Sequence, residues 1–173
     1  ETALQIGLVV HNALQAMADS RLEIWDPDKI RDQSNALRGE LRLLGVEDGD
    51  LAAATQRVID ALCRVIDDPT GRWLLQNHPQ AASELPLTIH TATGLEHVRL
   101  DRTFVDDTDT RWIIDFKTSA HEGGATTEFL DSEVERYRPQ LERYATAMAA
   151  IDDRPTRVGL YFPLLQAFRD WAP

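Results

Sequence analysis

Apolar residues recur every three or four positions through the first part of the chain and every second position further on. That change of period separates a helical half from a region of strands. In TALQIGLVVHNALQAMADS, the spacing of Leu4, Leu8, Val10, Leu14 and Met17 predicts the buried face of a helix. WDPDKIRDQSNALRGELRLLG predicts a second helix, with Asp26 as N-cap, Pro27 in its first turn and Gly45 as its stop. A third starts near Asp50 and runs through AAATQRVIDALCRVI, and DPTGRWLLQNH repeats the Asp-Pro start for a short fourth. SELPLTIHT, LEHVRLDRTFV and TRWIIDFKT then predict strands, rich in β-branched and aromatic residues and separated by turn-forming clusters. HEGGATTE (121–128) reads as a mobile loop before a helix over SEVERYRPQLERYATAMAAI, in which Pro139 either kinks the helix or marks its true start. TRVGLYFPLL is the last predicted strand. The expected class is α/β: a small central sheet of about four strands with helices on its faces, behind a helical N-terminal half.

One strand carries charges where apolar residues are expected. Alternation in WIIDFKTS puts Ile113, Asp115 and Lys117 on one face and Trp112, Ile114 and Phe116 on the other, and the apolar face belongs to the core. The preceding strand sets Val98, Leu100 and Phe104 against His97, Arg99, Asp101 and Thr103. DDTDT between the two is a polar turn. If that turn is symmetric about Thr108, antiparallel partners have numbers summing to 216, and Asp101 faces Asp115. Like charges opposed in this way repel, and either Lys117 or a divalent cation held between the carboxylates would offset the repulsion. A hairpin whose charged face simply meets water fits the same pattern.

Composition narrows the field. At 173 residues, with 43% hydrophobic and 27% charged, the chain suits one domain over 1–173 with a real core. A net charge of −11 argues against a free-standing, non-specific nucleic-acid binder, so Arg99, Arg102, Arg111, Arg136 and Arg138 are as readily solvated or carboxylate-paired as in contact with phosphate. Cys63 is the sole cysteine, read as a small core hydrophobe; it excludes an intrachain disulfide and any cysteine-based metal or iron–sulfur site. Apolar runs such as IGLVV fall far short of the ~20 residues of a membrane span, so a soluble cytoplasmic location is expected. The chain starts with Glu inside a helical pattern and reads as part of something longer.

Asp101 followed by IIDFK, with Asp115 and Lys117, resembles the signature of the PD-(D/E)xK nuclease superfamily. GLVVH (Gly7 to His11), LDRTF and QLERYA (Gln140, Tyr144) resemble, in order and spacing, three further motifs of its RecB-type branch. One departure is Val98, where such proteins usually carry a glycine three places before the aspartate. The resemblance implies a restriction-endonuclease-like core with a mixed sheet, in which His11, Asp101 and Asp115 bind metal and Asp101, Asp115 and Lys117 are catalytic. It also implies that the Phe116 carbonyl completes the coordination, that Gln140 and Tyr144 steady Lys117 or the DNA backbone, and that Glu84 lends support. For Gln140 and Tyr144 the plainer alternative is a solvated amide and a core tyrosine. Mg²⁺ is the implied cofactor, with Mn²⁺ as a substitute and no iron–sulfur cluster. The resemblance extends to the C-terminal nuclease domain of a bacterial UvrD-like, AddA/RecB-type helicase, which uses ATP in its own motor domains and feeds single-stranded DNA to the nuclease. The implied setting is DNA double-strand-break repair and recombination. The rival expectation is an inactive nuclease-like scaffold or DNA-guiding domain.

Overall fold

Asp26 and Asp68 each precede a proline, and each starts a helix. Proline lacks the N–H that a first turn leaves unsatisfied, and the aspartate before it accepts N–H groups that follow. Asp26 accepts the Lys29 N–H at 2.7 Å, and Asp68 accepts those of Thr70 and Gly71 at 3.2 and 3.3 Å. The computed structural model describes residues 2–119 and 126–173, which form two units. The helical unit contains α1 (Thr2–Asp19), α2 (Pro27–Asp32), α3 (Ser34–Leu43), α4 (Leu51–Asp67) and α5 (Pro69–Leu75), together with Lys117–Ser119 and Phe162–Ala167. α4 is its axis: Leu51, Val58, Leu62 and Val65 are buried on it, and α1, α2, α3 and α5 all pack against it.

Three details of this unit depart from the periodic reading. The face of α1 that is buried carries Ile6, Val9, Val10, Leu14 and Met17, while Leu4 and Leu8 are 68% and 46% exposed. At about 3.6 residues per turn, Leu4 and Leu8 fall on the far side of the helix from Ile6 and Val10. The expected second helix is two helices, broken at Gln33, so that Ile30 on α2 and Leu37 and Leu41 on α3 are all buried. Gly45, with φ of +88°, closes α3 as expected, the Val46 N–H reaching back to the Leu41 carbonyl at 3.0 Å. Cys63 is half-buried rather than a core residue; burial pushes its thiol pKa up, against the opposing charge of Arg31.

The second unit is a five-stranded sheet and one long helix. β1 (Ala82–Thr91), β2 (Gly94–Val105), β3 (Arg111–Phe116), β4 (Thr156–Phe162) and β5 (Ala167–Trp171) lie side by side in chain order, and α6 (Thr126–Ala149) links β3 to its parallel neighbour β4. β5 is the strand that periodicity missed. The 3-10 turn Pro163–Leu165 and the left-handed Gln166 (φ +47°) set it off from β4 in what reads as one run. Its Phe168 packs on Gly159, where a Cβ would stand 2.5 Å from the ring. Of the expected loop, residues 121–125 lie outside the described residues, and Thr126–Glu128 already belong to α6. α6 runs through Pro139, which therefore does not mark its start; Pro139 and Glu135, whose carbonyl loses a partner, are both exposed to water.

β3 is buried along its whole length, on both faces, so its charged side does not meet solvent. An interior strand with a crossover helix packed against it is covered in this way. The turn before it is fixed by Asp106. One carboxylate oxygen accepts the Thr108 and Thr110 N–H groups and the Thr108 hydroxyl, and the other accepts Trp112 Nε1–H at 2.7 Å. Burial works to raise the Asp106 pKa, but the hydrogen bonds from Trp112, Thr110 and Thr108 outweigh it and bring it from 3.8 to about 2. A carboxyl depressed by folding stabilises fully above its unfolded pKa, and the stabilisation fades as pH falls through the folded one. Urea titrations at pH 5 and pH 2 are therefore expected to show that Asp106→Ala removes about 1 kcal/mol, after allowance for solvent screening, of the stability the native protein loses over that interval.

Candidate active site

The hairpin arithmetic holds in the structure. β2 and β3 pair Val105 with Arg111, Phe104 with Trp112, Thr103 with Ile113 and Arg102 with Ile114. Asp101 and Asp115 stand one step beyond that ladder. There the Asp101 side chain does the work of a backbone carbonyl, accepting the Phe116 N–H at 2.9 Å. This bond ties the Asp101 carboxylate to the end of β3 beside Asp115, which is only 8% exposed.

On the other side of β2 the ladder skips a pair. Ser83 pairs with Arg102 and Leu85 with Leu100, leaving Glu84 and Asp101 face to face between them. Glu84 has a φ of +51°, a left-handed conformation that costs a non-glycine residue about 1–2 kcal/mol. The sheet thus sets Glu84, Asp101 and Asp115 at successive positions across β1, β2 and β3, and oxygens of Glu84 and Asp101 lie within 4.8 Å of one another. Arg99, 66% exposed, is 3.7 Å from Glu84, and a cation so open to water offsets little of the repulsion. Two carboxylate oxygens, from Glu84 and Asp101, at this spacing fit a hard divalent ion, whose metal–oxygen distances run from about 2.0 to 2.6 Å.

Lys117 follows Phe116 directly and belongs with the helical unit, as does His11. In that unit α1 comes against the same short stretch: a Cβ on Gly7 would lie 2.9 Å from the Thr118 hydroxyl oxygen. Only glycine permits an approach so close. His11, half-buried, sits one helical turn after Gly7.

Gln140 and Tyr144 on α6 engage each other, the Gln140 amide donating to the Tyr144 hydroxyl at 2.7 Å; Tyr144 is buried and Gln140 half-buried. The arginines weighed from sequence all have protein partners. Arg111 is buried against Asp152 at 2.7 Å, and Arg102, 2% exposed, donates to the Ser83 hydroxyl at 3.2 Å. Arg136 lies 3.4 Å from Glu133, and Arg138 lies 3.0 Å from Glu135. Glu84 entered the sequence reading only as a support; Pro86, two places on, marks β1 as an edge strand, but nothing at Glu84 itself signals its left-handed backbone or its place opposite Asp101. Among the described residues no helix is long and apolar enough to cross a membrane.

The family model for the PD-(D/E)XK nuclease superfamily matches residues 1–168. No curated protein matches the chain.

Proposed function

Because the chain belongs to the PD-(D/E)XK nuclease superfamily, we propose that it is a divalent-metal-dependent deoxyribonuclease of the RecB type. Asp101, Asp115 and Lys117 do the chemistry, and the chain as a whole forms one nuclease domain acting on single strands fed by an attached UvrD-like helicase. The observation that carries this reading is the β2–β3 register, which brings Asp101 and Asp115 to neighbouring positions two residues before Lys117.

In this reading Asp101 and Asp115 would hold the ion, with the His11 imidazole and the Phe116 carbonyl as further ligands and Glu84 steadying the site from β1. When bound, Mg²⁺ or Mn²⁺ would supply positive charge to the scissile phosphate and to the departing oxygen. The Lys117 ammonium orients the attacking water by hydrogen bonding and stabilises the charge that builds on the phosphoryl oxygens as one P–O ester bond breaks. Gln140 and Tyr144, already fixed to each other, present a rigid polar edge for the DNA backbone. The net charge of −11 and the paired arginines accord with weak DNA capture by this domain alone, the attached motor supplying the strand in the course of break repair and recombination.

Incubation with single-stranded DNA, duplex DNA and RNA, each with Mg²⁺, Mn²⁺ or EDTA, tests the reading. Cleavage of single-stranded DNA with either metal and none in EDTA is expected. Intact substrates under every condition would instead identify an inactive, nuclease-like scaffold.

A further inference from the structure

The β1–β2 hairpin is longer than the sheet it belongs to. β3 pairs with β2 from Arg102 to Val105, whereas β1 and β2 stay paired as far as Thr91 and Gly94. Beyond Glu84 and Asp101 they run on as a two-stranded ribbon, residues 85–100, that reaches about 20 Å further at ~3.3 Å per residue.

The two faces of the ribbon differ in what covers them. Leu85, Leu87, Ile89, Val98 and Leu100 share one face, with Ile89 and Leu100 buried, and α6 packs against β1. Glu96 belongs to that same face and lies 3.6 Å from Arg143 of α6. Arg99, Thr88, His97 and His90 share the opposite face and are exposed, as are Pro86 and Leu95 among them. Although the chain has 29 acidic residues against 18 basic, this exposed face carries none: Glu96, the only acid among residues 85–100, lies on the α6 side. A phosphate approaching it meets donors without a repelling carboxylate.

The exposed row begins at the candidate site. Arg99, opposite Pro86, stands one alternation beyond Asp101, and its guanidinium, 66% exposed, is 3.7 Å from the Glu84 carboxylate. One alternation further, the Thr88 hydroxyl and His97 Nδ1 lie 3.1 Å apart, which leaves the Nε2 edge of the exposed ring for an outside partner. His90, opposite Leu95, is the third step. Residues of one face recur about every 6.6 Å, twice the rise per residue, a step that an extended single strand can match from phosphate to phosphate.

We propose that this face of the ribbon is a track for the backbone of single-stranded DNA, along which Arg99, His97, Thr88 and His90 hydrogen-bond successive phosphates next to the site of cleavage. The inference rests on the nuclease reading and deepens it. α6 on the covered face keeps the ribbon from entering a duplex major groove, about 12 Å wide. Leu95, 61% exposed, and Pro86 offer apolar contact to unstacked bases, which a duplex does not present. With Arg99 as its single Lys or Arg, the track aligns a strand delivered to it rather than capturing one from solution.

The test compares the native protein with Arg99→Ala, His97→Ala and Arg42→Ala, the last removing an equal charge from α3, where Arg42 is 60% exposed. Fluorescence anisotropy in EDTA follows binding of a single strand of about twelve nucleotides without cleavage, and steady-state cleavage with Mn²⁺ separates KM from kcat. Arg99→Ala and His97→Ala should each bind about 3–10-fold more weakly and raise KM to the same extent, at native kcat and melting temperature. In Arg99→Ala the slope of log affinity against log salt should shrink by about 0.7, the loss of one phosphate contact. Arg42→Ala should bind as the native protein does. Native binding by both ribbon variants, a loss confined to kcat, an equal loss in Arg42→Ala, or a duplex bound more tightly than the single strand would overturn the proposal and leave the nuclease reading in place. A native chain that binds the strand but does not cut it with Mn²⁺ removes the nuclease reading alone, and one that does neither removes both.

Discussion

Asp115→Ala and Lys117→Ala are each expected to lower metal-dependent DNA cleavage by at least about 10²–10³-fold, for different reasons that two further measurements separate. Asp115 is a carboxylate held at 8% exposure next to Asp101, whose own oxygen is committed to the Phe116 N–H at 2.9 Å. If Asp115 is a metal ligand as proposed, its removal should lower Mn²⁺ affinity in calorimetry along with activity. Lys117→Ala leaves the acidic ligands intact, and Mn²⁺ should bind it about as well as it binds the native protein. Stability should move the other way from activity in the first case. Without metal, Asp115→Asn relieves repulsion among neighbouring carboxylates and should melt no lower than native. Adding Mn²⁺ should raise the native melting temperature well above that of the variant, because only the native site gains binding energy on folding. Equal cleavage by all three proteins would refute the assignment of these residues, whatever activity the chain displays.

Asp152→Ala is expected to destabilise the protein by about 3–5 kcal/mol, a loss unrelated to the chemistry of cleavage. Arg111 opens β3, yet its side chain is 7% exposed, and Asp152, equally covered, holds its Nε at 2.7 Å. The remaining guanidinium donors reach Gln80, through its carbonyl oxygen at 3.3 Å and its side-chain oxygen. Burial alone would raise the Asp152 pKa, but hydrogen bonds from Arg111 and Arg154 hold it below the ordinary 3.8. Truncating Asp152 strands a guanidinium that cannot lose its proton, and neutral Gln80 cannot replace the missing charge. Urea denaturation measures the loss. The double variant Arg111→Met, Asp152→Leu should recover to within about 1–2 kcal/mol of native, since a packed apolar pair of similar volume replaces the ion pair. A single variant as stable as native would show that the pair contributes little.

These predictions differ in how far the sequence foresaw them. The register that opposes Asp101 and Asp115 was legible because strand alternation has a period of two and a symmetric turn fixes pairing parity; Asp106, with four hydrogen bonds into DDTDT and Trp112, is the device that holds that symmetry. Arg111 was left open from sequence as solvated, carboxylate-paired or in contact with phosphate, and no partner could be named. Its partner lies forty-one residues away, a separation no local pattern reports. Leu4 and Leu8 were assigned to the core because three- and four-residue spacing also runs along the wrong side of α1. β5 was missed because a short 3-10 turn and one left-handed residue leave little trace in PLLQAF.

The sequence by itself determined whatever depends on neighbours along the chain: the Asp-Pro helix starts at Asp26 and Asp68, the Gly45 stop, the strand faces and the register of the β2–β3 hairpin. Tertiary structure decided what lies across from those faces. It buried β3 on both sides, bent β1 at Glu84 opposite Asp101, turned the Asp101 oxygen onto the Phe116 N–H and set Glu133 in the packed stripe of α6. Periodicity and caps reflect the geometry of a single helix or strand. The covering of a face depends on which other element packs there, and only the folded chain settles that.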